Sequence, residues 1–148
     1  MNPSGSVLIP GSRTFWAWQL AQGDELGPQV APAGPIDPAA DRFPDPPPLA
    51  GANTTIGVVA TNARLTKAEA GRLAIMAQDG MARAIRPCHT PFDGDTIFVL
   101  ATGQVELPEP RPALLSLLGS LAADCVARAI ARGVYLAQPL GRWPAYRA

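Results

Sequence analysis

Two apolar runs of matching make-up, TIGVVAT at 55–61 and TIFVLAT at 96–102, enclose a segment that opens with Thr66-Lys67-Ala68-Glu69. Short runs rich in β-branched residues predict strands buried on both faces. Thr66 with Glu69 three positions later reads as a capping box, in which the hydroxyl accepts from the third helical amide and the carboxylate reaches back to the cap. Behind it, Leu73, Met76, Ala77, Met81 and Ala84 recur on one helical face, and Pro87 predicts the end. A second helix is predicted from Pro112, a tolerated first-turn residue. Its stripe runs through Leu114, Leu117, Leu118, Leu121 and Cys125, and Gly133 is its expected stop. Strand, helix, strand, helix implies an α/β class, a layered sheet covered by helices.

Upstream the chain changes character. Eight of the 22 positions from Pro28 to Leu49 are proline, which removes backbone donors and fixes φ too often for a helix or central strand. Residues 1–53 therefore read as a segment with an irregular connection at 28–49, leading into a second segment, 54–148. In the first, Phe15, Trp16 and Trp18 sit near Val7, Leu8 and Ile9. They fit short strands or buried loops, with core packing favoured over a pocket lining. The tail from Tyr135 is expected to be irregular and to pack through Tyr135, Trp143 and Tyr146.

Charge and composition exclude several classes. Twelve basic and twelve acidic residues cancel, and no Lys/Arg cluster draws the chain to nucleic acid or an anionic membrane. The apolar runs, broken by Gly, Asp or Arg, fall below the roughly 20 residues a membrane span needs. The opening MNPSGSVLIPGSR lacks the basic and long apolar regions of a secretory signal, so a cytoplasmic location is the expectation. Cys88 and Cys125 show no metal-ligand spacing and read as small buried residues in a reducing compartment.

The available chemistry is narrow. His89 is the only histidine, and in an extended segment its side chain and that of Cys88 point apart, a poor dyad. A hydrolase without a histidine base can instead use an N-terminal nucleophile: cutting the bond before a threonine frees an α-amine that takes the hydroxyl proton. That amine has an ordinary pKa of about 7.7 to 8.0, which leaves enough neutral base for the work. Thr54 follows the small Gly51-Ala52 pair and opens a strand, so it suits this role. Asp93-Gly94-Asp95 is the second candidate. In an extended segment two carboxylates two residues apart share a face, and their repulsion would separate their pKa values. An ordinary Asp-Gly turn is the alternative reading.

The stretch NTTIGVVATNARLTKAEAGRLAIMAQDGMARAIRPCHTPFDGDTIFVLATG, 53–103, resembles the C-terminal part of the L-aminopeptidase/D-esterase family, and within it the nylon-oligomer (6-aminohexanoate oligomer) endo-hydrolases. The Asn-Thr junction, DGMARAI and HTPFDGDTIFVLATG carry the likeness. The resemblance implies an αββα-like architecture of the N-terminal-nucleophile type, incomplete in this chain. It also implies self-cleavage between Asn53 and Thr54, with Thr54 as nucleophile of an amide-bond hydrolase and Asp93 and Asp95 arranged around it. The opening NPSG also resembles the family segment whose Asn polarises the substrate carbonyl, a role that falls on Asn2. The family's catalytic lysine has no counterpart, since Lys67 lies in the first turn of a helix.

No cofactor or metal is required by this reading. Its expected partners are a small oligoamide or peptide substrate, the missing N-terminal half or a partner fragment carrying it, and further copies in a homo-oligomer. Two alternatives stand beside it: an aminopeptidase or β-peptidyl aminopeptidase, and a non-catalytic truncated subunit.

Overall fold

The computed structural model describes residues 1–37 and 53–147. Most of the proline-rich connection and the Gly51-Ala52 pair lie outside the described residues. A 3₁₀ turn at Trp16–Leu20 is followed by strand β1 (Ile56–Ala63), helix α1 (Lys67–Ala84), strand β2 (Thr96–Val105) and helix α2 (Arg111–Leu136). The strands pair in parallel, from Ile56 opposite Thr96 to Thr61 opposite Ala101. Parallel pairing needs a crossover, and α1 supplies it. The result is a mixed α/β fold whose described sheet has two strands.

Both ends of α1 follow from local chemistry. Thr66 Oγ1 accepts from the Glu69 amide at 3.2 Å, and Glu69 Oε2 accepts from the Thr66 amide at 2.7 Å, completing the capping box. The helix ends before Ile85, which is extended. Leu73, Ala77, Met81 and Ala84 are buried as the spacing predicts. They meet Ile97, Val59 and Val99 from the sheet and Phe15 and Leu26 from the N-terminal segment in one core.

The second helix departs from its predicted face. It buries Gly119, Ala122, Ala123, Val126, Ala127, Ile130 and Ala131, while Leu117 and Leu121 are 56% and 53% exposed and Cys125 is exposed. The cause is the close approach of α1. A Cβ on Gly80 would lie 2.2 Å from the Ala123 carbonyl oxygen, and one on Gly119 would lie 2.3 Å from Met76 Cε. Small residues let the two backbones come together, and leucines could not. The pairs Glu69–Arg111, Met76–Gly119 and Gly80–Ala123 advance together, so the helices run side by side in the same direction. Gly133 lies inside α2 rather than ending it. A Gly80→Val substitution puts branched carbon against backbone and is expected to destabilise the fold by roughly 3 kcal/mol, read as a lowered urea midpoint at constant slope. Gly133→Ala, in open space, should not lower that midpoint.

By length and composition α2 is long and apolar enough to cross a bilayer, which the broken apolar runs do not anticipate. Its charged residues are nevertheless used within the fold: Asp124 pairs with Arg83, and Arg128 grips Glu25 through Nε at 2.7 Å and Nη2 at 2.9 Å.

The strands were expected to be buried on both faces, and this is corrected. Gly57, Val59, Ile97 and Val99 face the helices, whereas Ile56, Val58, Phe98 and Leu100 are 57–65% exposed. Among the described residues no layer covers that second face. A two-stranded sheet with one open apolar face is marginal by itself.

The aromatic residues divide. Phe15 is fully buried against Tyr146, with ring centroids 4.6 Å apart, and the Arg86 guanidinium lies over the Trp16 ring at 4.5 Å. Trp143, expected to pack, is 65% exposed. The Leu140–Trp143 turn closes on itself by backbone hydrogen bonds and leaves the indole outside.

Two carboxyls couple this framework to pH. Arg128, with the Gln22 amide, holds Glu25 at about 2, and Arg111, with the Thr66 amide and hydroxyl, holds Glu69 at about 2; the ordinary value is 4.5. A depressed carboxyl stabilises the fold fully above its unfolded pKa and loses that contribution as pH falls toward its folded value. Melting temperature should therefore fall between about pH 4.5 and about pH 2. A Glu25→Gln, Glu69→Gln double variant should flatten that slope.

Candidate active site

The Asn53-Thr54 junction is held by its own backbone. The Asn53 amide donates to the Phe92 carbonyl at 3.2 Å, and the Asn53 carbonyl accepts from the Gly94 amide at 2.9 Å. One residue on, Thr54 exchanges a reciprocal pair with Asn2: its amide donates to the Asn2 carbonyl at 2.9 Å, and its carbonyl accepts from the Asn2 amide at 2.8 Å. Four backbone hydrogen bonds thus fix two residues between the N-terminal segment and the loop ahead of β2. The N-terminal segment is itself tied down by Ser6 pairing with Arg86. Gly5 is needed there, because a Cβ would lie 2.0 Å from the Pro87 carbonyl oxygen.

The Thr54 hydroxyl donates to the carbonyl oxygen of Asn53, 2.6 Å away. The same oxygen therefore receives two donors, the hydroxyl and the Gly94 amide. Gly94 leaves room for this arrangement, since a Cβ there would stand 3.1 Å from Thr54 Oγ1.

Asp93 and Asp95 flank the junction but do different work, and the expectation of two carboxylates converging on one face is revised accordingly. Asp93 accepts from the Ser4 amide at 3.0 Å, the Thr90 amide at 3.1 Å and the Thr90 hydroxyl at 2.6 Å. Burial alone would raise its pKa, but these donors outweigh it and hold the carboxyl below its ordinary value. Asp95, with its side chain 3% exposed, accepts from the Thr55 amide through Oδ1 at 2.8 Å. Its Oδ2 faces the His89 amide at 3.3 Å and His89 Nδ1 at 2.9 Å. Asp93 thus anchors the segment bearing Asn2, and Asp95 anchors the residue after Thr54.

Cys88 and His89 were expected to point apart. The segment is not extended there: His89 has φ +56°, a left-handed turn uncommon for residues other than glycine. The turn brings both side chains to Asp95, with Cys88 Sγ 3.6 Å from Oδ2. Burial and the neighbouring Asp95 charge push the Cys88 thiol up to about 12, so it is no thiolate nucleophile at neutral pH. Sequence spacing gave no sign of this cluster, because it depends on one backbone angle.

Among the described residues the buried Thr55 Oγ1 has no hydrogen-bond partner. A cavity of about 660 Å³ opens between β1 and α2, lined by Thr55, Gly57, Val59, Ile97, Val126 and Ile130 among others. Its walls are mainly apolar, and Thr55 links it to the junction.

A parallel βαβ unit thus carries the Asn53-Thr54 junction, with Asp93 anchored to Ser4 and Thr90 and Asp95 to Thr55 and His89. The model of peptidase family S58 matches residues 12–143, and the chain belongs to that family. An uncharacterized aminopeptidase of Mycobacterium tuberculosis is 41% identical over 99% of this chain and 45% of its own length. One from Mycobacterium leprae is 47% identical over 67% of this chain and 30% of its own. The 6-aminohexanoate-oligomer endohydrolase of Paenarthrobacter ureafaciens is 40% identical over 43% of this chain and 18% of its own. The chain thus spans less than half the length of these relatives.

Proposed function

We propose that the chain is the nucleophile-bearing part of an amide-bond hydrolase that activates itself by cutting between Asn53 and Thr54. The observation that carries this reading is the Thr54 hydroxyl lying 2.6 Å from the carbonyl oxygen of its own preceding peptide, whose other donor is the Gly94 amide. Attack of Oγ1 on the Asn53 carbonyl carbon forms the C–O bond and sends the carbonyl electrons onto oxygen, where the Gly94 N–H faces the developing charge. Collapse breaks the C–N bond, and the Thr54 nitrogen takes up the hydroxyl proton. Water then hydrolyses the ester, leaving an Asn53 carboxylate and a free Thr54 amine. That amine serves as base for the Thr54 hydroxyl in turnover, with Asp93 and Asp95 fixing the segments on either side. Asn2 or a backbone amide stabilises the substrate oxyanion.

Short oligoamides, such as 6-aminohexanoate oligomers, are the proposed substrates. The name of the Paenarthrobacter relative and the mainly apolar cavity beside Thr55 favour them. The names of the mycobacterial relatives favour the second reading, an aminopeptidase acting on short peptides. Comparing rates on a linear 6-aminohexanoate oligomer and on amino-acid amides separates the two. The exposed sheet face of Ile56, Val58, Phe98 and Leu100 supports a partner in the remaining half of the family fold, in the same chain or as a separate fragment. The exposed Leu117 and Leu121 support contact between copies.

Mass spectrometry of the purified protein, with that half co-expressed, tests the processing step. A fragment beginning at Thr54 is expected. An intact chain that still hydrolyses amides would sink the mechanism. A stable complex that remains intact and inactive would instead favour a non-catalytic subunit.

A further inference from the structure

Asp95, Cys88 and His89 each bring one donor atom to a common point, and these atoms all lie within 4.8 Å of one another. The separations from Asp95 Oδ2 are 3.6 Å to sulfur and 2.9 Å to nitrogen. A tetrahedral zinc ion with ordinary bond lengths needs donor separations of about 3.4 to 3.6 Å. The sulfur–oxygen spacing already fits, and the imidazole, 39% exposed, has only to draw back by about half an ångström. The carboxylate is anchored by the Thr55 amide through its other oxygen, so one ligand is held in advance. His89 is in the left-handed conformation, and its ring Nδ1 lies 2.9 Å from Asp95 Oδ2.

We infer that Cys88, His89 and Asp95 form a binding site for a borderline-soft divalent cation of the zinc type, with its fourth position open to solvent. The donor set decides the class of ion. Thiolate and imidazole suit zinc, whereas calcium and magnesium prefer all-oxygen shells. On binding, the thiol gives its proton to solvent. Thiolate, carboxylate and neutral imidazole around a dication then leave no net charge in a partly buried place. The ion draws on Asp95, whose other oxygen holds the residue after Thr54, so zinc should also slow cleavage at Asn53-Thr54. This last effect rests on the proposed function; the binding does not.

The full chain, stripped with chelator and dialysed against zinc, should retain one equivalent of metal. The cobalt-loaded protein should show a sulfur-to-cobalt charge-transfer band. Cys88→Ser should remove that band, and both Cys88→Ser and His89→Asn should weaken binding about tenfold or more. Asn tolerates the left-handed backbone, and melting curves will verify that both variants fold. Absence of stoichiometric metal in the wild type, or unchanged affinity in both folded variants, overturns the site. Zinc binding without any change in the rate of fragment release overturns the regulatory effect alone. Stoichiometric binding by a chain that never releases a fragment upholds the site and counts against the processing reading.

Discussion

Thr54→Ala is expected to abolish both release of a fragment beginning at residue 54 and hydrolysis of amide substrates. In the proposed mechanism the hydroxyl attacks in each step and no neighbouring group would replace it, so a loss of at least about 10⁴-fold in rate is expected. The backbone holds the site without it: the hydrogen bonds from Asn2, Phe92 and Gly94 at the junction all involve main-chain atoms. The variant should therefore fold and accumulate as an uncut chain. Thr54→Ser keeps the hydroxyl and should restore a measurable fraction of processing. Mass spectrometry of the three proteins over time is the measurement. Cleavage at normal rate in the alanine variant would show that another residue attacks.

Asp95→Asn should have the next largest effect, about 10 to 10²-fold on the rate of fragment release. The carboxylate accepts from the Thr55 amide on one oxygen and from the His89 amide and ring on the other. An amide side chain supplies only one acceptor, and its NH2 must then face a donor. The residue following Thr54 loses its anchor or His89 does, at a cost of about 1 to 3 kcal/mol. Melting temperature should fall with the rate, but the protein should remain folded. Asp93→Asn provides the contrast: its partners lie on Ser4 and Thr90, so it should loosen the segment bearing Asn2 and weaken processing less. Equal effects of the two substitutions would mean that both carboxylates act directly on the nucleophile.

What could be read in advance was whatever a few neighbouring residues settle among themselves. The Thr66–Glu69 box closes within one helical turn, and it fixed the start of α1. The β-branched runs became strands because their composition suits a pleated apolar surface, although each extends two or three residues beyond its predicted end. Asn53, Thr54, Asp93, Asp95 and Asn2 were all legible as candidates from the junction, the paired aspartates and a family resemblance. Tertiary structure brought them together by pairing Asn2 with Thr54 and Asn53 with Asp93 across long sequence distances.

The sequence by itself determined the order of elements, the capping of α1 and the residue types available for chemistry, because those depend on local hydrogen bonding and periodicity. Only the tertiary structure decided which face of α2 is buried, since hydropathy favours the leucines while the close approach of two helices demands glycine and alanine. It also decided that, among the described residues, one apolar sheet face is left uncovered, which depends on a neighbouring layer and not on the strands themselves. And it decided that Cys88 and His89 converge on Asp95, through a left-handed turn at one residue that no spacing rule encodes.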